Sequence, residues 1–313
     1  MIMKKKKDAS LEYMLKPGIF PAKTPSGALE QLKEVMDPET LKEVLTSEET
    51  GEDPQAFYRV KNRTLETALT VSGAFGGDVL RKACGLIDAS PDLFQPAGDA
   101  AEGAPGEEAA EGAPVKNQQV RVAEAGCDCG IVSCFIAQRF PETEVTGFDL
   151  CAEGISAAEK LSERLGLSNT CFVTGSPETL PPASFDVVFS LRTMHENCDV
   201  EEPEIPTGEE NDGDSRIKEY EEACFEALCP YAAGLAALLK PGGSLLSVER
   251  GSGGTADALG SGGTTDALGS AWRRALERAG LAERKEARRE LLCTEVGKET
   301  RLQVCVMKKS VIN

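Results

Sequence analysis

The chain has 313 residues, 41% of them hydrophobic, and a formal net charge of -18. Its length allows one large domain or two ordinary ones, and its mixed charge fits a soluble globular protein. The acidic balance excludes a broad basic face of the kind nucleic acid or an anionic membrane selects, so neither is an expected partner.

Met1–Lys7 reads MIMKKKK with no signal-type apolar run after it, and no stretch is long enough to span a bilayer. The 11 cysteines stand singly in apolar contexts such as RKACGLI and LQVCVM, the pattern of reduced, buried thiols. A cytoplasmic location is the expectation.

From Leu11 to Phe94 the pattern is helical. SGALEQLKEVM and DPETLKEVLTS place apolar residues at helical spacing, and Asp37-Pro38 reads as an N-cap with proline in the first turn. AFYRVKNRTLETALTVSGAF and DVLRKACGLI continue the pattern. Residues 1–94 are therefore expected to form an N-terminal helical cap, with Phe57, Tyr58 and Arg59 facing a pocket; a packing or dimerisation region, giving a homodimer, is the other reading. Residues 95–118, rich in Ala, Gly, Pro and Glu and containing AEGAP twice, read as a linker too polar to bury a core.

After the linker, strand and helix signals alternate through residues 119–313. QVRVAEA, EVTGFDL, TCFVTG, FDVVFSL and SLLSVE are strand-like. IVSCFIAQRF, AAEKLSERLGL and CFEALCPYAAGLAALL are helical, the last ending at Lys240-Pro241-Gly242-Gly243. Alternation of this kind predicts an α/β fold with a parallel, doubly wound sheet. Asp199–Glu222 reads as an acidic insertion. Residues 251–268 hold a nonapeptide duplication, GSGGTADAL and GSGGTTDAL, read as a glycine-rich loop. AWRRALERAGL then gives a closing helix, and ARRELLCTE and RLQVCVMKK can pair as a hairpin.

In a doubly wound sheet, ligands bind beyond the carboxyl ends of the strands. Glu124 ends the first strand, before the loop Gly126-Cys127-Asp128-Cys129-Gly130; Asp149 ends the second; Ser176 follows the third and Ser190–His195 the fourth. Glycines permit close backbone approach and a turn into the helix. A carboxylate such as Asp149 can accept both hydroxyls of a ribose, Ser176 can hydrogen-bond an adenine edge, and Glu124 can face an ammonium or steady the loop. The dinucleotide fingerprint fails, because Asp128 and Ile131 occupy its second and third glycines. That failure counts against a nicotinamide-dependent oxidoreductase. Cys127, Cys129 and Cys134 lack zinc-finger spacing, so no metal is expected.

Over residues 119–309 the motifs VAEAGCDCG, VTGFDL, GSPETLPPASFDVVFS and LLKPGGSLLSVE resemble, in order, those of class I S-adenosylmethionine-dependent methyltransferases. The resemblance implies a Rossmann-like, mostly parallel seven-stranded sheet and S-adenosyl-L-methionine as cofactor. It implies a methyltransferase but does not specify the substrate; a small-molecule acceptor is the expectation. The cofactor-binding set would be Glu124, Ala125, Gly126, Cys127, Asp128, Gly130, Asp149, Leu150, Ser176, Pro177 and Ser190. His195 is then the candidate base, or a pocket-shaping residue, and Arg192, Glu196 and Asn197 are candidate acceptor contacts. Two departures stand out: Asp128 replaces the middle glycine of the usual loop, and Ser176 stands where an acid commonly meets adenine. They keep open a non-catalytic, methyltransferase-like ligand-binding or interaction protein.

Overall fold

The computed structural model describes residues 8–50, 54–95, 119–201, 203, 213–250 and 267–311, with side chains from 47 to 54 and at 213 and 214 left aside. All of the linker reading (95–118) but its first residue, and most of the duplicated loop (251–268), fall outside these residues.

Five strands form the parallel core: β1 (Val120–Ala125), β2 (Thr143–Asp149), β3 (Thr170–Thr174), β4 (Phe185–Leu191) and β5 (Leu239–Arg250). Three more complete the sheet: β6 (Leu281–Glu283), β7 (Arg289–Glu295) and β8 (Lys298–Lys309), in the order β3-β2-β1-β4-β5-β8-β6 with β7 also on β8. The expected mostly parallel sheet is present. It has eight strands instead of seven because β6 and β7 divide one edge of the long antiparallel strand β8 between them. Strand order reverses at β1, between β2 and β4, which sets the ligand crevice at that carboxyl edge.

Alternation along the strands serves two cores. Val120 and Val122 of β1, with Val187 and Phe189 of β4, face α7 (Ile131–Arg139) and α8 (Ala152–Leu165). Ala123, Ala125 and Val188 face α9 (Gly213–Leu238) and α10 (Ala267–Arg278). The first core also takes in N-terminal helices. Tyr13 of α1 (Ala9–Leu15) meets Phe135 edge-on at 5.1 Å and donates to the Ile131 carbonyl at 2.6 Å. Leu69 and Ile87 of α5 (Leu65–Asp88) join the same core, and Phe94 of α6 (Pro91–Phe94) stacks on Phe140. The cap helices are thus continuous with one face of the sheet.

The cap departs from the expected pattern at one informative place. α2 (Pro25–Val35) and α3 (Pro38–Thr50) begin where Thr24 and Asp37 accept backbone N–H groups. The run after Phe57, expected to be continuous, breaks into α4 (Pro54–Lys61) and α5 because the Thr64 hydroxyl caps a new helix at the Thr67 N–H. That break sets Lys61 and Asn62 over the loop after β1.

Two other boundaries differ. The last ten residues of the acidic insertion are the opening turns of α9, where Glu221 and Glu222 meet Arg274, and Glu226 meets Arg278, across α10. α9 stops at Leu238, so Lys240–Gly243 lies within an irregular start of β5, where the register jumps between Phe185 and Val187. The closing hairpin forms as expected, joined by Val296-Gly297, both at positive φ as a two-residue turn requires. Because β5 ends opposite Leu302, the hairpin projects past the carboxyl edge, where α5 packs on β7. Among the described residues, no helix is long and apolar enough to cross a membrane.

Candidate active site

The carboxyl edge, α4, α5, the β7–β8 hairpin and the inner ends of α9 and α10 enclose a cavity of about 1260 Å³. That exceeds the roughly 300–1,000 Å³ of a pocket for one drug-sized ligand, so two can share it. Three non-glycine residues on its wall adopt left-handed backbone: Asp128 (φ 48°), Arg192 (φ 60°) and Val296 (φ 48°). Such conformations persist where surrounding contacts hold them, and they concentrate at binding sites.

The cavity is electrically bipolar. At the glycine loop, Glu124, Asp128 and Asp149 line one end, with Lys61 from the cap. Glu124 is fully buried; its carboxylate accepts the Ser133 hydroxyl, yet burial, then the neighbouring Asp128 and Asp149, pushes its pKa up to about 8. Asp149 takes the Asp128 N–H on one oxygen (2.8 Å) and the Cys151 N–H on the other (2.9 Å). Burial raises its pKa despite these bonds. Asp128, the residue in place of the usual glycine, is held by Lys61 Nζ and, at 2.7 Å, by Asn62 Nδ2. Burial is the largest single influence on Lys61 and lowers its pKa, but Asp128, Cys129 and Asp149 together outweigh it and raise the pKa, so Lys61 stays charged.

The other end is basic. Glu295, at the tip of β7, receives Arg192 Nη1 on one oxygen and Arg250 Nη2 on the other, each at 2.6 Å. Burial raises the Glu295 pKa, but the two guanidiniums outweigh it and hold the carboxyl below its usual range. Burial together with Arg250 and Arg192 drives His195 down to about 4, so its imidazole is neutral near pH 7. Tyr58 bridges the two ends, donating to Glu196 Oε1 at 2.5 Å.

Of the residues singled out in the sequence, Glu124, Gly126, Cys127, Asp128, Asp149, Leu150, Ser176, Pro177, Arg192, His195, Glu196 and Asn197 line this cavity. Phe57 and Tyr58 do so as well. Arg59 does not line it. Ala125, Gly130 and Ser190 also lie off the wall. Ala125 packs in the α9 core. A Cβ on Gly130 would come within 2.7 Å of Ala158 Cβ, so this glycine serves the close packing of α7 on α8. Ser190 is fully buried and donates to Glu249, on the face that α9 covers. Gly126 is on the wall, but a Cβ there would meet Thr193 Cγ2 at 2.5 Å, so the approach it permits is that of the loop after β4. Asn197 spends its amide on the Thr193 carbonyl at 2.8 Å, and Ser176 donates to Glu178 at 2.5 Å.

Lys61, Arg250 and Glu295 were not anticipated. Arg250 ends β5 on the same rim as the others, so the strand-end argument would have found it. Lys61 had an indirect signal in the unexplained charge of Asp128.

Residues 122–205 match the family model described as a methyltransferase domain. No curated protein matches the sequence. Among solved structures, magnesium protoporphyrin IX methyltransferase from Synechocystis PCC 6803 with bound SAM aligns at TM-score 0.44 and 14% identity, covering 88% of this chain and 98% of that one. A SAM-dependent methyltransferase from Aquifex aeolicus aligns at TM-score 0.38 and 18% identity, covering 62% and 83%. The domain match falls on the reversed strand order and on the motifs at its carboxyl edge, so the chain contains a methyltransferase domain over residues 122–205.

Proposed function

We propose that the acidic end of the cavity holds S-adenosylmethionine and that the basic end holds a small-molecule methyl acceptor. The supporting observation is the charge balance at the glycine loop: Glu124, Asp128 and Asp149 face the cavity with Lys61 as their cation. A ligand carrying an ammonium and a sulfonium suits that excess of carboxyl groups. An ionised carboxylate offers about four acceptor positions, and Asp149 uses two on the backbone, which leaves it capacity for a ribose diol. Leu150, Ser176 and Pro177 continue the same wall toward the base. When bound, the cofactor supplies a methyl carbon that an acceptor lone pair attacks as the carbon–sulfur pair returns to sulfur.

The chain's own residues orient and desolvate. α4, α5 and the hairpin cover part of the cavity, and alignment of two bound reactants supplies much of the acceleration in such a transfer. With its pKa near 4, His195 is a poor proton acceptor at neutral pH, so we assign it a hydrogen-bonding role instead of that of general base. It is the only histidine, so its ring proton resonance can be followed without assignment. The expected NMR midpoint is about 4; an ordinary midpoint of about 6.5 would return it to the role of base.

Isothermal titration with S-adenosylmethionine and S-adenosylhomocysteine tests the cofactor reading. Asp149→Asn keeps the shape but removes the charge and half the acceptor capacity, and is expected to weaken both ligands by about tenfold, near 1.4 kcal/mol. Absence of binding at about 1 mM ligand, equivalent to no more than about 4 kcal/mol, would reject the reading.

A further inference from the structure

The acceptor end is lined by more cations than acids. Glu295 is one carboxylate between two guanidiniums, and the Nε of Arg250 is buried without a hydrogen-bond partner. Lys298 and Arg301 of β8 line the same wall; the nearest acid to Arg301 is Glu299 at 3.8 Å. The remaining acid there, Glu196, is hydrogen-bonded by Tyr58, and burial raises its pKa. In a chain of net charge -18, a surplus of positive charge along this wall is a local construction, not a reflection of composition.

The lining also carries apolar side chains. Phe57, Phe75 and Leu80 come from the cap, with Leu191 and Val296 from the sheet and hairpin. Cations beside an apolar lining match a ligand with an anionic head and an apolar body. A carboxylate is the anion that this arginine pair already holds, in the form of Glu295.

We propose that the acceptor is an apolar carboxylic acid whose carboxylate is bound by Arg192 and Arg250, alongside or in place of Glu295. The inference rests on the reading of this end as the acceptor chamber. It goes beyond that reading in naming the recognition group. Glu295 then sets selectivity: it occupies part of the arginine pair, so an incoming acid must compete with it.

The test compares hexanoate, benzoate and indole-3-acetate with their primary amides, which match them in shape and lack the charge. Saturation-transfer NMR on protein saturated with S-adenosylhomocysteine reads each affinity. The acids are expected to bind at least about tenfold tighter than the amides. Arg192→Gln or Arg250→Gln should each cut acid binding by about that factor and leave the amides unchanged. Glu295→Gln should act in the opposite direction, tightening the acids by roughly threefold, an outcome that a merely structural ion pair would not produce.

Amides that bind as well as acids would overturn the proposal. So would no acid binding at about 1 mM, or an acid preference that survives both arginine substitutions. The two readings fail separately. If S-adenosylhomocysteine does not bind, the same pairs are measured on ligand-free protein, and an acid preference there keeps the recognition site while the cofactor reading falls.

Discussion

Lys61→Met is expected to lower the unfolding free energy by about 3 kcal/mol and to weaken S-adenosylhomocysteine binding, and adding Asp128→Gly to recover most of both. Asp128 has Lys61 Nζ and Asn62 Nδ2 on its carboxylate, and its own N–H donates to Asp149. The Lys61 side chain is 9% exposed and that of Asp128 is 24% exposed. Removing one partner of a buried pair costs about 3–5 kcal/mol, because the other charge is left desolvated; the partial exposure of Asp128 places this case at the lower end. The orphaned carboxylate would also stand beside Glu124 and Asp149, so the loop must either neutralise it or shift. Asp128→Gly removes that charge and supplies the residue best suited to a φ of 48°. Asp128→Gly alone strands Lys61 and should destabilise in turn. The signature is therefore strong non-additivity in a double-mutant cycle read by urea unfolding, with calorimetry for the ligand. Additive single effects would mean that the pair carries no coupling, and that Asp128 is merely a tolerated variant of the turn.

That pair also marks where sequence reading ended. Short β-rich runs, the glycine loop and the strand-end acid are local patterns, and β1, β2 and β4 formed where those patterns lay. Strand parity could have corrected Ser190 as well. It lies two residues beyond Val188, hence on the α9 face, where it meets Glu249. Ala125 follows Ala123 to the same face for the same reason. The contacts that give the cavity its two charged ends are of another kind. Lys61 reaches Asp128 across 67 positions, and Arg192 reaches Glu295 across 103. No periodicity links such partners; the packing of α4 on α8 and the sheet order that sets β7 near β4 bring them together. Likewise, Glu221 and Glu222 read as an acidic run because Arg274, their counter-ion, lies about fifty residues on. An isolated charge in a loop was the legible part, and its partner was not.

Glu124 carries the second large effect. The affinity for S-adenosylhomocysteine is expected to rise by nearly tenfold per pH unit between about pH 6 and pH 8, with Glu124→Gln flattening the slope. In the ligand-free protein, burial first, then Asp128 and Asp149, holds its pKa near 8, so the group is largely protonated at neutral pH. An ammonium placed against it favours the carboxylate, which lowers its pKa and requires a proton to leave on binding. Affinity therefore improves as pH rises toward the ligand-free value and levels off above it.

Stability runs the other way. A carboxyl raised from 4.5 contributes stability that is fully present below its unfolded value and is lost as pH climbs through about 8. One such proton changes stability by up to about 1.4 kcal/mol per pH unit within that window. Glu249, pushed up to about 7 mainly by burial, adds to the same decline, but it is enclosed by Ser190 and the Met194 N–H and lies off the cavity wall. Glu249→Gln should accordingly flatten the fall of ligand-free Tm between about pH 5 and pH 8 and leave the binding slope intact, whereas Glu124→Gln should flatten both. Calorimetry in buffers of different ionisation enthalpy reads the released proton directly. A binding enthalpy independent of buffer, together with an affinity independent of pH, would show that Glu124 does not face the ligand's ammonium.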